Sequence, residues 1–246
     1  MINPIYKPKG AAGEYGDWAL NIYTGCPHRC FYCYAPKVLR MDKETFHSCV
    51  APREGIFEAV GKQLFNWRKS GIKNRLIFLC FTCDPYPLGL DCSATSKIMA
   101  MIKESKNNIK LLTKNFYSGR LKADLTFFDK NDCFGITDDC AKHYDELDYI
   151  GTRFARRELL KFAKKKRVKT WISFEPILNV EVAIKNVEFY KDYADLMAFG
   201  ALNHVKLDKP IDYTNAEKKI IATCEKHGVK YLIKSSLKGV RRANER

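Results

Sequence analysis

No stretch of this 246-residue chain stays apolar long enough to cross a bilayer. The longest apolar runs, such as residues 76–81, fall far short of the roughly 20 residues that a spanning helix needs. A membrane partner is therefore not expected. The opening MINPIYKPKG lacks the apolar core of a secretory signal, so a cytoplasmic location is expected. There is no low-complexity tract, internal repeat or long linker, which argues against global disorder and against a string of domains. A single domain over 1–246 is expected, with a core of about 17–235 and a basic tail at 236–246. Acidic residues are scarce: 28 Asp and Glu face 43 Lys and Arg, for a formal net charge of +15. That excess suits polyanionic partners, namely nucleic acid, nucleotide or phosphorylated metabolite, unless it is only a basic solvated surface. The charge is clustered. Residues 153–169 hold nine basic residues and one acid, Glu158, and residues 234–246 hold five and one acid, Glu245.

Cysteine, by contrast, is abundant, with ten in the chain. Without an export signal a disulfide framework is not expected. Metal ligation, catalysis and burial as small hydrophobes remain as uses for the thiols.

Short β-branched or aromatic runs alternate with helical stretches. The strands are predicted at 19–24, 75–82, 109–113, 133–137, 168–174, 195–201 and 229–234. Their near-continuous apolarity suits strands buried on both faces. Helices are predicted at 54–69, 93–106, 154–166, 180–191 and 215–227. In the third of these, Phe154, Leu159, Leu160, Phe162 and Ala163 form the apolar side and basic residues the other. Asn215 is a candidate N-cap, and Gly228 a candidate C′ residue. The alternation implies βαβ units, a parallel sheet and an α/β fold, namely a partial or nearly closed parallel (β/α)6–7 TIM-type barrel. In such folds the chemistry sits at the C-terminal ends of the strands, so the residues directly after each strand are the candidates.

After the first strand comes Gly25-Cys26-Pro27-His28-Arg29-Cys30-Phe31-Tyr32-Cys33-Tyr34, with cysteines spaced C-x3-C-x2-C. Three thiolates on one loop reach three irons of a cubane cluster and leave the fourth iron open to a small chelating ligand. A zinc site from Cys26, His28, Cys30 and Cys33 is the competing reading; purely structural cysteines are another. The stretch NIYTGCPHRCFYCYAP resembles the cluster loop of radical S-adenosylmethionine (SAM) enzymes. More closely it resembles the spore photoproduct lyase-like branch, with its related phage-encoded proteins. The resemblance implies that Cys26, Cys30 and Cys33 ligate a [4Fe–4S] cluster and that Tyr32 packs near the SAM adenine.

Further strand-end motifs extend the resemblance over roughly residues 17–205. The segment Cys80-Phe81-Thr82-Cys83-Asp84-Pro85-Tyr86 is similar to an S/T-x-D-P-Y segment of that branch, implying that Thr82, Cys83 and Asp84 line the SAM amino group. Asp84 as a turn or helix cap is the structural alternative. In Leu112-Thr113-Lys114 the lysine is implied to hold the SAM carboxylate; an ordinary surface lysine is the alternative. Thr137, and Ser173 and Glu175 of an S-x-E-P segment, are weaker candidates for cofactor contacts. Arg156, Asn203, His204, Lys234 and Ser235 stand near the same strand ends. Of the remaining cysteines, Cys80 and Cys83 are candidates for donating a hydrogen atom to a product radical, and a second cluster involving Cys80, Cys83 and Cys92 is also open. Burial as small hydrophobes is the remaining reading for all seven, Cys49, Cys80, Cys83, Cys92, Cys133, Cys140 and Cys224.

The chemistry implied is reductive cleavage of SAM to a 5′-deoxyadenosyl radical that abstracts hydrogen from a substrate. A one-electron donor such as flavodoxin or ferredoxin is then required. Clustered positive charge and the resemblance together favour a nucleic acid or nucleotide as substrate, for modification or repair. A peptide or small metabolite is the alternative substrate class. A zinc-stabilised, non-enzymatic nucleic-acid-binding protein is the alternative of a different kind.

Overall fold

The computed structural model describes residues 3–116, 119–141, 147–205, 207, 209–213 and 215–238. Residues 239–246 of the expected basic tail lie outside these. All seven expected strands form: β1 (Trp18–Leu20), β2 (Leu76–Leu79), β3 (Asn108–Thr113), β4 (Cys133–Thr137), β5 (Lys169–Phe174), β6 (Leu196–Phe199) and β7 (Tyr231–Ile233). They belong to one open sheet in the order β1-β2-β3-β4-β5-β6-β7. The expected helices are α3 (Ile56–Lys69), α4 (Ser93–Glu104), α6 (Leu147–Lys165), α7 (Val180–Tyr190) and α8 (Ala216–Lys226). Three short helices, α1 (Ala35–Leu39), α2 (Lys43–Ser48) and α5 (Gly119–Asp124), were not anticipated.

The chain divides into two compact units, Met1–Cys133 and Phe134–Arg246. In the first, β1 pairs parallel with β2 and β2 with β3, in a register that aligns Leu20 with Leu79 and Leu79 with Leu111. Ile77, Phe78 and Leu79 are all buried, as the continuous apolarity of a two-sided strand requires. In the second, β5, β6 and β7 pair parallel, and Phe174, Phe199 and Ile233 stand level at their ends. A parallel sheet needs a crossover helix between neighbours, and α7 and α8 supply those between β5, β6 and β7.

β2 ends earlier than expected because a side chain takes over from the ladder. Asn21 follows β1, and its Oδ1 accepts from the backbone N–H groups of Phe81 (2.7 Å) and Thr82 (2.9 Å). Those donors then serve a side chain instead of a strand partner, so β2 ends at Leu79. The N-terminal segment is pinned in a similar way. Gln63 of α3 accepts from Ile5 N–H (2.9 Å) and donates to Ile5 C=O (2.8 Å). Replacing Gln63 by Leu would leave both groups unsatisfied in the interior, at a cost of about 2 kcal/mol. Denaturant unfolding at unchanged slope should read that loss, with faster proteolysis ahead of β1.

Helix ends follow the expectations in position more than in mechanism. Gly228 adopts φ +65° after α8, as a C′ residue does. Asn215 stands at the N-cap of α8 but makes no side-chain capping bond. On α6, Leu159, Leu160 and Ala163 are buried as expected, whereas Phe154 is exposed. There the ring lies under the Arg157 guanidinium, 4.5 Å from its centroid, and edge-on to Phe189.

Candidate functional site

The three cysteines lie on the loop that leaves the C-terminal end of β1, and all three are free and partly exposed. The loop is held by α2 and the segment after it. Cys26 N–H donates to Phe46 C=O (3.1 Å), and the buried His47 donates from Nδ1 to Cys26 C=O (2.7 Å). Thr24 N–H donates to Ala51 C=O (2.9 Å). Gly25 is needed for this close approach, because a Cβ there would stand 2.0 Å from the Phe46 carbonyl oxygen. Farther along, Cys33 N–H donates to Cys30 C=O (3.0 Å), and Arg29 makes a two-pronged bond to Glu44 (2.8 and 2.6 Å). Asp42 caps α2 by accepting from Thr45 N–H.

Burial raises the Cys26 thiol well above its ordinary range, and the nearby Asp84 adds to the effect. Burial raises Cys33 too. Among the described residues, no group of three or more His, Cys, Asp or Glu side chains is gathered for a single metal ion. His28 points its Nε2 to Tyr86 C=O (3.4 Å), with Asp84 at 3.9 Å.

Asp84, in the turn after β2, is buried and acts as a hub. Its Oδ1 accepts from Tyr86 N–H (2.8 Å) and Thr113 Oγ1 (2.6 Å), and its Oδ2 from Lys114 N–H (2.8 Å). The turn-cap alternative is thus realised, and the same bonds tie the β2 turn to the end of β3. Thr82, two residues earlier, has a buried Oγ1 with no hydrogen-bond partner. A buried hydroxyl in that state is an open position for a polar ligand group. Lys114 donates from Nζ to the Tyr32 hydroxyl and lies 4.6 Å from the centroid of the Tyr32 ring. Two residues chosen separately from the sequence are therefore in contact. Tyr34 closes the loop from the other side by donating to Phe81 C=O (2.7 Å).

Cys80 is buried and Cys83 half-buried, and their side chains are hydrogen-bonded to each other. Burial, reinforced by Cys83, pushes the Cys80 thiol up. Burial acts on Cys83 as well, but the bond from Cys80 and the backbone N–H groups of Tyr23 and Ile22 outweigh it, so Cys83 is lowered. Cys92 instead turns its thiol to Leu90 C=O (3.4 Å). Cys140 and Cys224 are buried as expected of small hydrophobes, while Cys133 is half-buried and Cys49 exposed.

The second unit has its own strand-end cluster. Thr137 is buried at the end of β4. Ser173, in β5, is buried, and Glu175 directly follows the strand. Lys234, after β7, donates from Nζ to Glu175 Oε2 and lies 3.5 Å from Ser173 Oγ. Arg156 is buried with Nη1 3.7 Å from Asp138 Oδ2. Asn203 donates to Ala201 C=O (3.2 Å) and so serves its own loop.

Sequence reasoning missed His47 as a support of the cysteine loop and Asn21 as a support of the turn after β2. An amide ending an apolar strand was the available signal for Asn21. His47 sits in a six-residue helix with no periodicity to betray it.

No protein-family model matches the chain, and no curated protein matches it by sequence. Solved structures do. A double variant of spore photoproduct lyase with bound AdoMet and dinucleoside spore photoproduct aligns with a TM-score of 0.65 at 11% identity, over 93% of this chain and 78% of that one. The chain has the fold of spore photoproduct lyase. A second structure of that protein, complexed with dinucleoside spore photoproduct, gives 0.64 at 12% identity over 94% and 78%. Streptococcus suis SuiB bound to S-adenosylmethionine gives 0.62 at 13% identity, over 88% of this chain and 50% of that one. The α/β class and parallel sheet expected from strand–helix alternation are thereby borne out. No described helix is long and apolar enough to cross a membrane.

Proposed function

We propose that this chain is a radical SAM enzyme whose Cys26, Cys30 and Cys33 hold a [4Fe–4S] cluster. The observation that carries the reading is the placement of three free thiols on one anchored loop at the C-terminal end of β1, in a fold shared with proteins solved with bound SAM. The chemistry supplied when cluster and SAM are bound is one-electron cleavage to methionine and a 5′-deoxyadenosyl radical for hydrogen abstraction. The electron comes from an external one-electron donor of the flavodoxin or ferredoxin kind.

The residues around the loop fit a SAM amino acid group. Thr82 offers a buried, unused hydroxyl, and Lys114 a cation for a carboxylate. Tyr32, held by Lys114, supplies an aromatic face for the adenine. Asp84 fixes the turn that carries Thr82 and the backbone of Lys114. Cys80 and Cys83 form the donor pair proposed for returning hydrogen to a product radical.

A nucleic acid or nucleotide is the proposed substrate. Support comes from the net charge of +15 and from the dinucleoside ligand of the structurally similar lyase. A base acted on in a recessed site has to leave its stack, so single-stranded substrate is expected to be preferred.

The deciding experiment is anaerobic reconstitution with iron and sulfide, then dithionite and SAM, with 5′-deoxyadenosine as readout. The wild type should carry iron and sulfide together and release 5′-deoxyadenosine, and Cys30→Ala should lose both. Stoichiometric zinc without sulfide would sink the proposal.

A further inference from the structure

Phe154 stands on the open side of α6, 43% exposed. At 3.6 residues per turn, Phe154, Arg157, Lys161 and Lys165 line one side of the helix, opposite the buried Leu159, Leu160 and Ala163. A lone exposed ring needs no explanation, but this ring belongs to a built arrangement. The Arg157 guanidinium lies 4.5 Å from the Phe154 centroid and 5.3 Å from that of Phe189. Arg153 lies 4.1 Å from the Phe189 centroid, and the two rings meet edge-on at 5.6 Å. Arg157 keeps a buried Nε with no hydrogen-bond partner and reaches Glu158 only at 3.6 Å. Its guanidinium is thus held against rings more than by a carboxylate. Acids on this side are few. Glu158 is shared between Arg157 and Lys161, and Asp195 takes Lys164 at 3.0 Å. On and just after α7, Lys185 and Lys191 balance Glu188 and Asp192, so the surplus of positive charge stands on α6.

We infer that the outer face of α6 is a docking surface for single-stranded nucleic acid, with a base stacked on the open side of the Phe154 ring and phosphates along Arg157, Lys161 and Lys165. The inference rests on the nucleic-acid part of the reading above and adds a surface that the strand ends do not supply. The ring favours this occupant over an acidic protein. Carboxylates call for cations alone, whereas a nucleobase offers its π-face to a flat ring and its phosphate to the cation beside that ring. Arg157 covers one face of Phe154 and so fixes the ring before any ligand arrives, which lowers the ordering cost of binding. Lys161 and Lys165 follow at intervals of about one turn, roughly 5.4 Å. Their long stems carry point charges that can follow a mobile backbone. Such a surface grips many sequences, because every base has a π-face.

The test uses the full chain and labelled single strands, oligothymidylate and oligouridylate, read by anisotropy over a range of salt. The tighter of the two tells DNA from RNA. Phe154→Ala should weaken that probe about tenfold, within the range for one lost stacking contact, and leave the slope of log affinity against log salt unchanged. Lys161→Gln with Lys165→Gln should lower that slope by about 1.4, for two phosphate contacts at roughly 0.7 each on a single strand. Phe127→Ala removes a ring of the first unit that is 74% exposed and should bind as wild type. Thermal midpoints should stay near wild type throughout. Where Phe154→Ala folds poorly, Phe154→Leu, which keeps apolar bulk without the flat ring, must show the loss instead. Wild-type affinity and slope in the Phe154 and lysine variants overturn the inference alone. An oligoglutamate of equal charge that binds as tightly, and loses the same factor in Phe154→Ala, assigns the face to acidic proteins and overturns it too. A wild-type chain that binds neither strand at low salt overturns the inference and the nucleic-acid substrate together, and leaves the cluster to the 5′-deoxyadenosine assay.

Discussion

Gly25→Ala is expected to strip the chain of most of its iron while leaving every cysteine in place. The added methyl would stand 2.0 Å from the Phe46 carbonyl oxygen and 3.1 Å from its carbon. These are backbone atoms and cannot swing aside as a side-chain tip would. The same oxygen accepts from Cys26 N–H, and the neighbouring His47 donates to Cys26 C=O. Relief of the clash therefore has to come from moving the cysteine loop off α2, which breaks both bonds. Overpacking of this kind costs about 1–3 kcal/mol. Displaced support of a metal ligand lowers metal affinity about 10- to 100-fold. Iron and sulfide per chain after reconstitution are the measurement, with circular dichroism to show that the sheet survives. Full loading of the alanine variant would mean that the loop does not hold metal in the arrangement described.

The strands were legible because burial on both faces leaves a simple mark, an unbroken apolar run. Residues 76–79 and 196–199 carry that mark and are strands. What stayed hidden are devices that use one side chain to replace a backbone partner. Asn21 ends β2 from a distance of about 60 positions along the chain, and no local pattern announces such a bond. The short helices α1 and α2 were invisible for a related reason. Five or six residues are too few for a 3.6-residue period to show. They form because Pro36 stands at the start of one and Asp42 caps the other. Phe154 misled for the opposite reason. It has the right spacing for a core face, yet its ring is covered by Arg157 from its own helix.

The site was legible as a set of strand ends and much less as a set of roles. Lys114 and Tyr32 were chosen from separate motifs and are in contact. Cys80 and Cys83, each chosen for its place at a strand end, share a hydrogen bond. The row that Glu175, Gly200 and Lys234 make across the strand ends was beyond reach because it depends on the register of β5, β6 and β7, and register is a property of the assembled sheet. Sequence alone names the residue after each strand. It does not say that a glutamate on one strand crosses a glycine on the next to reach a lysine on the third.

Asp84→Asn should weaken the fold by about 2 kcal/mol, in the range for a buried donor left unsatisfied. The aspartate accepts three bonds through its two oxygens, from Tyr86 N–H, Thr113 Oγ1 and Lys114 N–H. An asparagine keeps one oxygen and sets an NH2 group against donors at the other position. Asp84→Ala removes both acceptors and should cost more than Asp84→Asn, because all three donors then lose their partner. The consequence for binding follows from what the bonds join. Thr82 and Lys114, the residues proposed to receive the SAM amino acid group, stand on segments that these Asp84 bonds join, beside the bond from Asn115 Nδ2 to Tyr86 C=O (2.9 Å). Asp84→Asn is therefore expected to raise the SAM dissociation constant about tenfold, even when the assay is run well below the unfolding transition. Asp124→Asn supplies the control. That carboxylate is also buried and accepts from Tyr86 OH (3.0 Å) and Ser96 Oγ (2.7 Å), so its loss should lower stability similarly. It touches neither Thr82 nor Lys114, so SAM affinity should hold. Equal loss of affinity in both variants would assign the effect to general destabilisation. Unchanged affinity in Asp84→Asn would reduce the aspartate to a strut of the turn and would place the SAM amino acid group elsewhere.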